Sequence, residues 1–241
     1  MSCGTIHGVG LGPGAADLMS VRADRLVRGT RHIAYFRKRG RRGHARTIVG
    51  DMLRADAVEY AMDYPVTTEI PVDHPDYNDR LSSFYARCTA HLAALAQGGE
   101  DVVVLCEGDP FFYGSFMHLH ARLRSQVPVA VVPAITGMSG AWTASGQPIT
   151  WGDDVLTVVM GTLPEADLVR RIRDTDALVV MKIGRHLAKL RRAVAAAGRE
   201  EAAWLVEYAA MAEQRVTRLC EADAVTPYFA ILLIHGQGRR P

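Results

Sequence analysis

DVVVLCEGDP, residues 101–110, is the stretch whose reading decides the fold. Val102–Cys106 are apolar without alternation, and Glu107-Gly108-Asp109-Pro110 then stops the run with turn chemistry. A strand apolar on both faces has to be covered on both, the situation of a strand inside a parallel sheet flanked by helices. Shorter β-rich runs of the same kind occur at Ile6–Val9, His32–Tyr35 and Val129–Val132. Helical patterns fall between them. Ala23, Leu26 and Val27 recur at helical spacing behind Ser20, a residue suited to an N-cap. A helix is expected within Thr47–Arg54, and Leu81, Phe84, Tyr85, Cys88, His91, Leu92 and Leu95 follow the 3, 4 spacing until Gly98-Gly99 ends them. A further helix is expected over Phe116–Leu123. YAMDYPVTTEIPVDHP, residues 60–75, carries three prolines and is not expected to stay regular for long. The order of elements predicts an α/β fold with an open parallel sheet, whose ligands sit at the carboxyl ends of its strands.

The second half repeats the alternation. Strands are expected at Val155–Gly161, Ala177–Gly184, 202–210 and 228–236, with helices over 164–173 and 185–198. Two domains are therefore expected, residues 1–133 and 134–241, each within the usual size range.

With 241 residues, 49% hydrophobic and 22% charged, the chain can bury a core without disulfides or metals, and a disordered or fibrous protein is excluded. No run approaches the roughly 18 apolar residues of a membrane span, and MSCGTIHGVGLGPG lacks the pattern of a secretion signal, so a cytoplasmic protein with no membrane partner is expected. Cys3, Cys88, Cys106 and Cys220 are scattered and read as reduced, buried small hydrophobes. His118 and His120 are two apart on a predicted helix and point to different faces, so no metal site is expected.

Lys and Arg number 28 against 26 Asp and Glu, a formal charge of +2, yet FRKRGRRGHAR, residues 36–46, gathers Arg37, Lys38, Arg39, Arg41, Arg42 and Arg46 without an acid between them. A solvated surface loop and a nucleic-acid patch are the readings that the residues themselves offer. One loop in a nearly neutral chain is too narrow for the usual nucleic-acid footprint, so no nucleic-acid partner is expected. On the helix after Gly184, Arg185, Lys189 and Arg192 either extend an anion site or form an exposed helical face.

Three loops lie at predicted strand ends. Gly8-x-Gly10-x-Gly12-Pro13-Gly14 partly matches a dinucleotide fingerprint, but Pro13 stands in place of its last glycine and no acid closes the second strand at Tyr35-Phe36. A structural tight turn is the alternative. In Glu107–Gly114, glycines bracket Asp109-Pro110 and the aromatics Phe111, Phe112 and Tyr113, a pattern that grips a ligand or else a turn in which Asp109 caps the next helix and the aromatics are core. Pro133-Ala134-Ile135-Thr136-Gly137-Met138-Ser139-Gly140 either wraps a polar ligand or starts a helix.

In this order the three loops resemble the tetrapyrrole methylase family, the class III methyltransferases that use S-adenosyl-L-methionine. The family pattern runs V-G-x-G-P-G, G-D-P-x-x-Y-G and P-G-[IV]-[ST]; here Val9–Gly14, Gly108–Gly114 and Pro133–Thr136 match it, and Glu207 with Gln214-Arg215 matches a later E-x-x-x-x-x-Q-R. The resemblance implies two α/β domains with a cofactor cleft between them, a homodimer, and a tetrapyrrole polycarboxylate as substrate. Carried over by position, cofactor contacts fall on Pro13, Glu107, Gly108, Asp109, Phe112, Thr136, Gly137, Met181, Lys182, Ala209, Pro227, Tyr228, Phe229 and Ala230. The six cations of residues 37–46 become the expected substrate carboxylate site. His44, Glu107 and Tyr113 are candidate bases by location, with solvent as the alternative acceptor. The chain departs from the family at Ala134, Gly137 and Ala209, and it lacks the Tyr-Asp pair of uroporphyrinogen methylases at Tyr35-Phe36, which argues against that reaction. A tetrapyrrole-binding protein without catalysis and a nicotinamide oxidoreductase are the alternatives from other classes.

Overall fold

The computed structural model describes residues 2–66 and 74–238. The chain divides into two compact units, Met1–Thr136 and Gly137–Pro241.

The first unit is an all-parallel sheet of β1 (Ile6–Gly10), β2 (His32–Lys38), β3 (Val58–Tyr64), β4 (Val102–Cys106) and β5 (Val129–Val132), in the order β3-β2-β4-β1-β5. β4 lies in the centre, and each of Val102–Leu105 is at most 1% exposed. Its alternate residues serve two cores. Val102, Val104 and Cys106 pack with α3 (Pro75–Gln97) and α4 (Phe116–Leu123), while Val103 and Leu105 pack with α1 (Val21–Gly29) and α2 (His44–Val49). Full burial of each such aliphatic side chain is worth roughly 1.5–3 kcal/mol, so the unbroken run drives the sandwich of helices around the sheet.

Local signals set most helix ends. Ser20 caps α1, its Oγ accepting from Ala23 N at 3.1 Å. α3 starts six residues before the apolar spacing does, because Pro75 occupies its first turn and His74 Nδ1 accepts from Asp76 N at 3.2 Å. α2 begins at His44, three residues before the expected stretch. β3 is a strand that the residue pattern did not reveal; it runs through residues 60–64 of the proline-bearing segment and stops at Pro65. Residues 67–73 of that segment lie outside the described residues.

The second unit is a mixed sheet of β6 (Leu156–Met160), β7 (Ala177–Met181), β8 (Ala203–Glu207), β9 (Arg215–Arg218) and β10 (Ala230–Ile234), in the order β6-β7-β10-β8-β9, with only β6 and β7 parallel. α6 (Glu165–Arg173) and α7 (Leu187–Ala196) cover one face, and α5 (Gly137–Ala144) covers the other. β9 and α5 were not foreseen as elements, although the third loop was allowed to start a helix. Cys88 and Cys106 are buried as expected; Cys3 and Cys220 are exposed, which corrects their reading as core residues. Among the described residues no helix is long and apolar enough to cross a membrane.

Candidate functional site

Strand order picks out one place in the first unit. The connection leaving β1 passes β4 to reach β2, and the connection leaving β4 passes β1 to reach β5. Their helices go to opposite faces, α1 with Val103 and Leu105, α4 with Val102 and Val104. The two chains diverge above the carboxyl ends of β1 and β4, the position where open α/β sheets form a ligand-binding crevice.

The first and second loops meet there. Leu11 N donates to Cys106 O and Gly108 N to Gly12 O, both at 2.9 Å, with Gly12 and Gly108 at φ 83° and 62°. Gly10 is where all three loops converge: a Cβ on it would lie 2.6 Å from Ala134 Cβ, 2.8 Å from Gly108 O and 2.9 Å from Pro110 Cδ. The glycine loop is thus a close-approach device for the other two loops.

Asp109 ties the second loop to the third. Its Oδ1 accepts from Phe111 N at 2.9 Å and its Oδ2 from Ala134 N at 3.0 Å. It does not cap α4, whose N-cap residue is Ser115. Nor are all the aromatics core: Phe111 is 48% and Tyr113 43% exposed, and Tyr113 holds φ 55°. A non-glycine residue in the left-handed region costs of order 1–2 kcal/mol and persists only where its surroundings impose it. Pro13, Glu107, Gly108, Asp109 and Phe112 are therefore brought together by one set of loops. The third loop spans the unit boundary, with Thr136 ending the first unit and Gly137 opening α5.

Glu107 follows the last residue of β4. Its Oε1 accepts from Ala45 N at 3.1 Å, at the start of α2, where the backbone N–H groups favour negative charge. The side chain is accessible to solvent but crowded by protein atoms. Desolvation pushes its carboxyl up to about 7, against the pull of the Ala45 hydrogen bond.

The basic segment is divided by the structure. Arg37 Nε donates to Asp63 Oδ1 at 2.6 Å, and Arg46 donates to both Glu59 oxygens, at 2.7 and 2.9 Å, and to Gly50 O at 2.6 Å. Glu59 is held below the usual carboxylate range, chiefly by Arg46. Arg37 and Arg46 thus dock the β2 end and α2 onto β3. Lys38, the last residue of β2, and Arg39, Arg41 and Arg42, on the turn between β2 and α2, are exposed beside the carboxyl ends of the strands. Lys189 Nζ donates to Leu163 O at 2.6 Å and Arg192 pairs with Glu165, so these two cations tie α7 to the start of α6, while Arg185 is exposed. His118 lies against the Tyr85 ring and His120 against the Phe111 ring.

A second group of candidates gathers at one edge of the second sheet. β7 and β8 end where β10 begins, with Ala230 opposite Glu207 and Leu232 opposite Val180. Tyr208 N donates to Phe229 O at 2.8 Å. Met181, Ala209, Met138, Trp142 and Ile231 all pack against the same buried cluster, and a Cβ on Gly137 would touch Ile231 Cδ1 at 3.6 Å. Lys182, Tyr208 and Ala210 have φ of 54°, 51° and 58°. Met181, Lys182, Ala209 and the 227–230 segment therefore line one edge, joined by Gly137 through α5.

Sequence reasoning named Glu207 and Gln214-Arg215 only as family markers. Glu207 is 3% exposed; its Oε2 accepts from Arg215 Nε at 2.6 Å and its Oε1 from the Thr226 hydroxyl at 3.1 Å, while Arg215 also donates to Asp223 at 2.7 Å. Gln214 Oε1 accepts from Ala210 N at 2.8 Å. The motif is a clamp that shapes this edge. The aromatic group of Phe36, Tyr64, Phe84 and Tyr85 was also missed; Phe36 stacks on Tyr64 at 5.4 Å, and the Tyr64 hydroxyl meets Ser115 Oγ. A crevice lined by His32, Tyr60, His91 and Leu95 lies at the amino end of β2, away from these loops.

The family model described as Tetrapyrrole (Corrin/Porphyrin) Methylases matches residues 5–224. The chain is 47% identical over 239 residues to a precorrin-2 C(20)-methyltransferase of Sinorhizobium sp, covering 99% of this chain and 98% of the relative. It is 27% identical to a cobalt-precorrin-2 C(20)-methyltransferase of Salmonella typhimurium, covering 97% of each. A solved uroporphyrin-III C-methyl transferase from Thermus thermophilus, complexed with S-adenyl homocysteine, superposes with a TM-score of 0.65 at 25% identity, covering 95% of this chain and 96% of that one.

Proposed function

The chain belongs to the tetrapyrrole methylase family, and from that premise we propose that it transfers a methyl group from S-adenosyl-L-methionine to carbon 20 of precorrin-2, giving precorrin-3A in cobalamin biosynthesis. The observation that carries the proposal is the 47% identity, over nearly the full length of both chains, to a protein of that activity. Members of the family use S-adenosyl-L-methionine, and a neighbour was crystallised with its demethylated product. A homodimer acting in the cytoplasm is part of the same proposal.

The residues suit such a donor. The crevice above β1 and β4 offers backbone groups at glycines that allow close approach, and Asp109 holds two of its loops in register. Cofactor contacts are assigned to Pro13, Glu107, Gly108, Asp109 and Phe112, to Thr136 and Gly137, and to Met181, Lys182, Ala209 and Pro227, Tyr228, Phe229 and Ala230. When bound, the donor supplies an electrophilic methyl group on a sulfonium with a good leaving group. The protein therefore contributes mainly alignment and exclusion of water. Exposed Arg39, Arg41 and Arg42, with Lys38, receive the rim carboxylates of the tetrapyrrole, whereas Arg37 and Arg46 support them from their ion pairs with Asp63 and Glu59.

The cobalt form of the substrate is the second reading, favoured by the relative from Salmonella typhimurium but at 27% identity. Incubation with labelled S-adenosyl-L-methionine and either metal-free or cobalt-loaded precorrin-2 tests both. Transfer to the metal-free ring at the higher kcat/KM is expected; preference for the cobalt ring moves the assignment to the second reading, and no transfer to either refutes both.

A further inference from the structure

Methylating a ring carbon that bears hydrogen leaves a proton to be removed. Of the three groups near the crevice that can take it, His44, Glu107 and Tyr113, one is held for the task. Glu107 stands at the carboxyl end of the central strand, at the switch point, after four residues that are at most 1% exposed and Cys106 at 8%. One of its oxygens is fixed by Ala45 N at 3.1 Å. No salt bridge to Glu107 occurs among the described residues, although six cations lie within residues 37–46: Arg37 and Arg46 are committed to Asp63 and Glu59. Tyr113 instead has its ring edge-on to Phe112 at 4.8 Å and its backbone in the left-handed region, which gives it a part in shaping the loop.

We propose that Glu107 is the general base, its Oε2 taking the proton from carbon 20 while Ala45 N holds Oε1. This rests on the methyltransferase reading above. In the balanced step the electron pair of the ring at carbon 20 forms the new carbon–carbon bond, and the carbon–sulfur bond breaks with its pair remaining on sulfur as a neutral thioether. The C20–H pair then returns to the ring, and the proton passes to the Glu107 carboxylate, which releases it to water. A carboxyl raised toward 7 suits this role, because it is partly ionised at neutral pH and still a stronger base than an ordinary carboxylate. The other titratable groups around it are accounted for. Cys106, buried, has its thiol pushed up; Asp109 has both oxygens engaged by Phe111 N and Ala134 N; Arg46, on α2, is turned to Glu59; and His44 opens that helix.

Glu107→Gln keeps an oxygen to accept from Ala45 N and removes the base. In single-turnover methyl transfer to precorrin-2 it should lower the rate about 10²-fold or more, a loss that raising S-adenosyl-L-methionine to saturation does not recover. Wild-type kcat should rise with pH through a limb near 7, and the variant should lose that limb. A second readout needs no substrate. The folded-state carboxyl is raised, so its ionisation destabilises the fold above that value and has no such effect below the unfolded value; Glu107→Gln should therefore gain Tm relative to wild type at pH 8 but not at pH 4. Wild type active with the variant within twofold in rate, or a wild-type profile flat between pH 5 and 9, overturns the base assignment alone. Wild type inert toward every tetrapyrrole overturns the functional reading itself.

Discussion

Gly10→Ala tests whether the three loops form one assembly. The glycine has an ordinary backbone φ, so alanine there meets only a steric penalty. Its Cβ would sit 2.6 Å from Ala134 Cβ, which is about 0.9 Å inside the closest favourable carbon–carbon separation of roughly 3.5 Å, and it would also press on Gly108 O and Pro110 Cδ. None of the three is the far end of a flexible side chain, so the second and third loops must move apart. Overpacking of this kind costs about 1–3 kcal/mol, and in a chain of this size each kcal/mol lowers Tm by about 2–4 °C. The same displacement strains the Asp109 hydrogen bond to Ala134 N, so S-adenosylhomocysteine affinity should fall at least tenfold by calorimetry. Gly29→Ala is the control: nothing lies within 4 Å of its Cβ, and it should be neutral or stabilising by about 0.5–1 kcal/mol without affecting affinity. A Gly10→Ala protein with wild-type Tm and affinity within twofold would refute the convergence of the loops as a functional feature.

Further outcomes are expected. Asp109→Asn leaves one of two backbone N–H groups without its acceptor, costing about 1–3 kcal/mol and weakening S-adenosylhomocysteine binding; unchanged binding in titration would contradict the clamp. Arg39→Ala with Arg41→Ala should raise KM for the tetrapyrrole several-fold at unchanged S-adenosylhomocysteine affinity, and equal losses in both would count against a carboxylate site on this turn. Arg215→Met strands the buried Glu207 carboxylate and should cost about 1–3 kcal/mol in urea unfolding, with Glu207→Gln in the same background recovering part of the loss; a neutral Arg215→Met would mean the clamp carries no stability.

What the sequence discloses depends on whether the deciding partner is local. β4 is legible because its apolar run is unbroken, and α1 because Ser20 precedes the helical spacing. β3 is an edge strand in which Tyr60, Met62 and Tyr64 pack on the α3 side at period 2, but acids at Glu59 and Asp63 and the prolines that follow dilute the pattern. Missing β3 also hid the fate of the basic segment. Arg37 lies directly opposite Asp63 in the β2–β3 register, so six neighbouring cations looked equivalent until a strand about 25 residues away supplied the acids. The late motif follows the same logic, since Glu207 faces Arg215 across the β8–β9 pair, and β9 was too short and polar to be foreseen. The loops of the candidate site were legible because glycine, proline and aspartate act on their own backbone. The left-handed Tyr208 and Ala210 were not, because only the surrounding structure imposes that conformation.

Carbon-13 NMR of the product formed from precorrin-2 and S-adenosyl-L-methionine carrying a ¹³C methyl group tests the central claim most directly. One labelled methyl resonance, split by one-bond coupling when the precorrin-2 also carries ¹³C at carbon 20, is the predicted result. A labelled methyl at another ring carbon, or an unmodified tetrapyrrole after complete incubation with folded protein, would contradict it.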